Sequence, residues 1–229
     1  QVAFLQRYKD NEAFHEILQV AIGLNEVIVE VERTIPSISE EVTNYFKQPR
    51  RSISKCLKIE DNVYHYPFGE CIKEQGPFIV CLQQGNRMEG VSLFCKGMIM
   101  PLFEMCYRQK RDLIILPFSD EVEALRFEFG RSHLHAFDLF IAIDKKGDAK
   151  IIPTLERIIT IVDEADVKDQ TEVMLITNND LIDYSEDKVL TLVDALKERF
   201  VSITAVSMSE QHYEKHPMHF LEKIYYVNE

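Results

Sequence analysis

The sequence predicts an α/β protein: a mostly parallel, six-stranded, Rossmann-like sheet with helices on both faces, preceded by a helical amino-terminal extension. Three observations predict it. From Phe78 onward, short apolar runs alternate with longer amphipathic stretches, the order that produces parallel strands joined by crossover helices. The run Gly76-Pro77-Phe78-Ile79-Val80-Cys81-Leu82 leads into a tight loop, Gln83-Gln84-Gly85-Asn86-Arg87-Met88, that opens a helix. Such a loop lies at a sheet's carboxyl edge, where open α/β folds bind ligands. Upstream, Phe14, Ile17, Leu18, Ala21, Leu24, Ile28 and Val31 recur at three-and-four spacing, which makes one face of a long helix.

Taken in order, a short helix over 2–8 precedes that long one, Pro36 closes it, and a further helix follows Ser39, whose side chain can cap the Glu40-Glu41 turn. Lys47, Arg50, Arg51, Lys55 and Lys58 then form a basic cluster with no acid among them. A solvated connector accounts for it more simply than a phosphate or nucleic-acid contact, because the aromatic interleaving of single-strand binders is missing. Residues 1–70 therefore read as a mainly helical extension with a basic connector, and 71–229 as the α/β domain.

Within that domain, strands are expected near 78–82, 113–117, 124–129, 172–177, 202–207 and 224–227, and helices near 90–111, 152–164 and 185–199. The helix after the loop carries Val91, Phe94, Cys95, Met98, Leu102, Met105 and Cys106 on one stripe. Pro101 interrupts it, and a proline inside a helix costs roughly 3 kcal/mol, so a kink is expected. Ser185 is placed to cap the 185–199 helix. Glu186 and Asp187 suit the positive end of its dipole, and Val189, Leu192, Val193 and Leu196 face the core.

Length and composition describe an ordinary globular chain of 229 residues, 46% apolar and 28% charged. A formal charge of −12 argues against general nucleic-acid or anionic-membrane binding. The charge is uneven: residues 151–229 hold seven Lys/Arg against sixteen Asp/Glu, a net −9. Five cysteines, Cys56, Cys71, Cys81, Cys95 and Cys106, are odd in number and form no Cys-x-x-Cys. They read as reduced, small hydrophobes of a cytoplasmic protein. No apolar run approaches the ~18 residues of a membrane span, and no signal peptide is visible.

Four stretches carry a resemblance to a known family: Gly76-Pro77-Phe78-Ile79-Val80-Cys81, Leu116-Pro117-Phe118-Ser119-Asp120-Glu121-Val122, Val173-Met174-Leu175-Ile176-Thr177 and Thr204-Ala205-Val206-Ser207-Met208-Ser209. Over roughly residues 76–226 the chain resembles a von Willebrand factor A (VWA) domain, nearest the ViaA-like and CoxE-like bacterial branch, whose members partner MoxR-type AAA+ ATPases. The resemblance implies a strand order of 3-2-1-4-5-6, with the third strand antiparallel at an edge.

It also implies a metal-ion-dependent adhesion site, which this chain has replaced. The family's first strand ends in Asp-x-Ser-x-Ser, whose oxygens hold Mg²⁺ or Mn²⁺; matched on Met88, those positions hold Gln83, Gly85 and Arg87. The family's threonine falls on Ala149 within Gly147-Asp148-Ala149-Lys150, and its late aspartate on Asn178. None of the five is a carboxylate or hydroxyl, and an arginine repels a cation. The expectation is a site without metal or cofactor, using Gln83, Gly85, Arg87, Ala149 and Asn178 as a degenerate protein-binding crest. There Arg87 either grips a partner carboxylate or is neutralised internally by Glu89 or Asp180.

Other chemistries are weaker. Gly85-Asn86-Arg87-Met88-Glu89-Gly90-Val91-Ser92 has phosphate-loop spacing, but Val91 stands where the lysine belongs. His212, His216 and His219 are interrupted by Pro217, and His133 and His135 alternate as on a strand or loop. Ser119 lacks a Gly-x-Ser-x-Gly elbow, and Cys56 and Cys71 lack an identifiable base. The expected function is a non-enzymatic protein-interaction module, an adaptor for a MoxR-type ATPase. The alternative is a Rossmann-like domain binding a nucleotide or phosphorylated small molecule.

Overall fold

The computed structural model describes residues 7–8, 10–34, 58–60, 63–65, 76–144, 146–165, 171–208, 221 and 223–226. The expected helix after Ser39, most of the basic cluster, Cys56, Cys71 and the three carboxyl-terminal histidines lie outside these residues, as does most of the 2–8 segment.

Helix α1 (Glu12–Thr34) comes first, followed by a small antiparallel pair, β1 (Lys58–Glu60) and β2 (Val63–His65). The main sheet then begins at β3 (Phe78–Gln83), which leads through a single 3₁₀ turn, Asn86–Met88, into α2 (Ser92–Gln109). There follow β4 (Leu113–Phe118), β5 (Leu125–Phe127), α3 (Leu134–Ala142), α4 (Ile151–Ala165), β6 (Thr171–Thr177), α5 (Glu186–Lys197), β7 (Val201–Ser207) and β8 (Lys223–Tyr226). The six strands lie in the order β5-β4-β3-β6-β7-β8. All neighbours are parallel except β4 and β5. Numbered within the sheet, this is the expected 3-2-1-4-5-6 with an antiparallel third strand.

Side chains leave a strand on alternate faces, and both faces here are covered. Phe78, Val80, Leu82, Leu113, Ile115, Met174 and Ile176 point to one core, shared with α1, α2 and α3. Ile79, Cys81, Ile114, Leu116, Val173, Leu175 and Ile203 point to the other, shared with α4 and α5. The uninterrupted apolar runs at β3 and β4 follow from this burial on both sides.

The buried face of α2 is wider than the stripe read from the sequence, with Lys96, Gly97 and Ile99 also buried. The reason is α1. An ideal Cβ on Gly97 would lie 2.5 Å from Val20 and 3.0 Å from the Ile17 carbonyl oxygen, so the two helices cross where only glycine fits. Ahead of α1, Asn11 Oδ1 accepts the Phe14 amide at 2.9 Å and caps the helix. The Tyr8 hydroxyl donates to Asp138 Oδ1 at 2.6 Å, and Arg7 pairs with its other oxygen. Together the hydroxyl first, then the guanidinium, hold the Asp138 carboxyl below the usual carboxylate range.

Helix α2 continues through Pro101 from Ser92 to Gln109. Its buried Lys96 donates to the carbonyls of Ile141 at 2.8 Å and Ile143 at 2.6 Å, which satisfies orphan acceptors at the end of α3. Desolvation lowers this ammonium's pKa, against the opposing charge of Asp144.

Three sequence expectations need correction. Ser185 occupies the cap position of α5, but its side chain makes no capping hydrogen bond; the charges of Glu186 and Asp187 remain in the first turn. His133 and His135 do not alternate along a strand: they open α3, a helix that sequence periodicity did not reveal. The third strand is three residues long rather than six, because the chain turns at Phe129-Gly130, where Gly130 takes a positive φ of 78°.

Candidate functional site

The carboxyl ends of β3 and β6 mark the point where the strand order reverses, the crevice in which open α/β sheets present their sites. Four of the five residues singled out from sequence gather there around one hydrogen-bonded network. Gln83, 1% exposed, ends β3 and reaches across to β6. Its Oε1 accepts the Thr177 hydroxyl at 2.5 Å and the Asn178 amide at 3.0 Å. Its Nε2 donates to Asn178 Oδ1 at 2.7 Å. Asn178 Oδ1 also accepts the Asp180 amide at 3.0 Å, while Nδ2 donates to the Arg87 carbonyl at 3.0 Å. Two neutral amides thus stitch the first loop to the β6 loop, a bond between residues 95 positions apart that the sequence named but did not link.

Gly85 shows why a hydroxyl side chain has no room here. An ideal Cβ would sit 2.3 Å from the Gly147 carbonyl oxygen, and its φ of +109° already favours glycine. Gly147, at φ +108°, in turn lies against Asp120, whose Oδ2 would be 2.2 Å from an added Cβ. Ala149 does not face the network. It is buried in the core beneath α4, and joins the crest through its carbonyl, which accepts the Ile182 amide at 3.1 Å.

Arg87 stands above this closed layer. Its Nε lies 3.1 Å from Asp180 Oδ2, and its side chain is 65% exposed against 22% for the aspartate. The internal partner is therefore Asp180, on the far loop. An ion pair so exposed contributes under about 1 kcal/mol. Nearby, Lys150 and Asp120 form a second exposed pair at 3.4 Å. Sequence reasoning passed over Asp183, whose two oxygens accept the Ile151 and Ile152 amides at 2.6 and 3.0 Å and cap α4. The two lie about thirty residues apart, so local patterning carries no signal for it.

The donor set does not fit a divalent cation. Such an ion needs several oxygen ligands, with carboxylates offsetting its lost hydration. Here the Gln83 and Asn178 oxygens are neutral and each already accepts two hydrogen bonds, and the carboxylate of Asp180, whose amide joins the network, faces an arginine. Among the described residues no three His, Cys, Asp or Glu side chains converge as a metal cluster. The phosphate-loop spacing is spent likewise: Met88 N donates to the Gly85 carbonyl and Val91 N to that of Met88, so these amides close turns rather than forming an anion cradle. Ser119 is buried and its backbone serves the neighbouring loops.

No family model matches the sequence, and a comparison with curated proteins finds no match. Solved structures do match in fold. The SpRpn10 VWA domain superposes with a TM-score of 0.50 at 11% identity, over 67% of this chain and 88% of that one. A pilus adhesin, SpaC from Lactobacillus rhamnosus GG in an open conformation, gives 0.56 at 7% identity, over 68% of this chain and 28% of that one. Proximal thread matrix protein 1 from the mussel byssus gives 0.50 at 13%, over 67% and 44%. The likeness is one of architecture: the chain has the Rossmann-like fold of VWA domains.

Proposed function

We propose that this chain is a non-enzymatic protein-interaction module in which the crest of a VWA fold binds its partner without a metal ion. One observation carries the proposal. At the positions the VWA resemblance assigns to the ion's ligands, Gln83 and Asn178 bond to each other, and the Arg87 side chain of the same loop, paired to Asp180, stands 65% exposed. Arg87 supplies a fixed positive charge, and a guanidinium can hold a carboxylate through two parallel hydrogen bonds. Asp180 engages its Nε edge; an incoming carboxylate takes the terminal nitrogens. Crest positions Gln83, Gly85, Ala149 and Asn178 act by shaping and stiffening the loops that present it.

The partner class follows from the ViaA-like resemblance: a MoxR-type AAA+ ATPase in a bacterial cytoplasm. The state of the cysteines supports the setting. Cys81, Cys95 and Cys106 are free and buried. Burial pushes the Cys81 thiol far up and those of Cys95 and Cys106 to about 12, so they serve packing rather than chemistry. Among the described residues no helix is long and apolar enough to cross a membrane.

Affinity isolation with mass spectrometry tests both parts. The wild-type bait is expected to recover an AAA+ ATPase, and Arg87→Ala to bind it about tenfold more weakly, the equivalent of 1.4 kcal/mol. Recovery of no such ATPase removes the partner assignment; equal affinity of the two baits removes Arg87 from the interface.

A further inference from the structure

Away from the crest, the fold leaves a second concave site. A cavity of about 550 Å³ opens between the carboxyl-terminal half of α2, the edge strand β5 with its turn, and the start of α3. Its depth is set by Leu113 and Phe127, a register pair at the amino end of β4, whereas the crest lies at the strands' carboxyl ends. The walls are Met100, Phe103 and Phe137, with Phe103 edge-on to Phe127 at 4.8 Å between ring centroids. At the mouth, Tyr107 and Phe129 lie 5.6 Å apart, yet remain 69% and 41% exposed.

We propose that this cavity is a binding site for an uncharged, ring-bearing small molecule. The volume is that of small-ligand sites, roughly 300–1,000 Å³, and so is the mostly apolar, aromatic lining with few polar groups. Charge selects the class. Among the described residues the charges lining the cavity cancel in pairs, Arg131 with Glu128 and buried Arg111 with Glu172, so the lining carries no net charge to favour an ion of either sign. His133 Nε2 donates to the Glu128 carbonyl at 2.7 Å. An ionised ligand would therefore lose hydration without meeting a net charge of opposite sign.

The two macromolecular occupants fit less well. An added peptide strand would need the free edge of β5, but that strand has three residues, and its Arg126 is tied to Glu164 at 2.5 Å; short, charged edges resist pairing. A second copy would need on the order of 20–30 residues a side, and among the described residues lining the cavity only Tyr107, Phe129 and Leu134 present exposed large apolar surface.

The probe is N-phenyl-1-naphthylamine, a neutral three-ring fluorophore, titrated into the full chain carrying ¹³C-methyl methionine. Saturable one-to-one binding is expected, with the Met100 methyl resonance shifting and that of Met88, buried under the crest, unmoved. The sulfonated analogue 1-anilinonaphthalene-8-sulfonate should bind at least fivefold more weakly, and Met100→Trp, which fills the cavity, should weaken the neutral probe at least tenfold. No saturable binding, saturation with Met100 unmoved, or tighter binding of the sulfonate overturns the proposal. If Met100→Trp melts early, the wild-type Met100 shift decides. Binding here is independent of the crest, so a failure of either leaves the other standing.

Discussion

Replacing Arg111 with methionine is expected to lower the unfolding free energy by about 3–5 kcal/mol, the range for removing one partner of a buried ion pair. The guanidinium is buried at the amino end of the sheet, where three chain segments meet. Its Nε donates to the Gly76 carbonyl at 2.9 Å, one terminal nitrogen to the Pro77 carbonyl at 3.2 Å, and the other to Glu172 at 2.6 Å. It also lies over the Phe78 ring, 5.4 Å from its centroid. One side chain thus binds the starts of β3 and β6 to the loop ahead of β4. Methionine fills similar volume but leaves two buried carbonyls and a half-buried carboxylate without their donor. Arg111→Lys should recover little, since a single ammonium cannot reach three acceptors in the plane of the fork. Urea denaturation followed by circular dichroism checks this; a loss below about 1 kcal/mol would mean the bonds are replaced by solvent.

Gln83→Leu is the second large expectation, about 2–4 kcal/mol from several buried groups left unsatisfied at about 1–3 kcal/mol each, reduced by the apolar gain of leucine. The Thr177 hydroxyl and the Asn178 amide lose their common acceptor, and Asn178 Oδ1 keeps only the Asp180 amide. Because Asn178 in turn fixes the Arg87 carbonyl, the substitution should loosen the first loop as well as destabilise the fold. Amide hydrogen exchange separates the two effects: Met88 and Val91, whose amides close the loop's turns, should exchange faster in the variant than global unfolding accounts for. Unchanged protection would show that the loop stands without the amide network.

The sheet was legible in sequence because its strands are buried on both faces. Runs such as Ile79-Val80-Cys81-Leu82 and Ile114-Ile115-Leu116 have few alternatives once turn residues bound them, and each of the six strands overlaps its expected span, β5 at half the expected length. Helix α3 was not legible. Leu134–Ala142 is only nine residues, apolar on most sides, without an acidic first turn or a capping side chain, so it offers neither a periodic face nor a boundary signal. The width of the α2 interface was hidden for a different reason: Gly97 and Lys96 look unfavourable for a buried helix face until α1 and the end of α3 arrive from elsewhere in the chain. At the crest the residue types were informative and their partners were not. That Gln83 and Asn178 are not carboxylates could be read directly, whereas their mutual bond, and the choice of Asp180 as the partner of Arg87, depend on loops that only the folded sheet brings together.

The measurement closest to the central claim is the melting temperature of the intact chain in EDTA, in millimolar Mg²⁺ and in millimolar Mn²⁺. A crest satisfied by its own amides and topped by Arg87 predicts superimposable melting curves in all three. An ion bound at one hundred times its dissociation constant would add about 2.7 kcal/mol, a rise of roughly 5–11 °C for a domain of this size. Such a rise in Mn²⁺, reversed by EDTA and abolished by Asp180→Asn, would contradict the account.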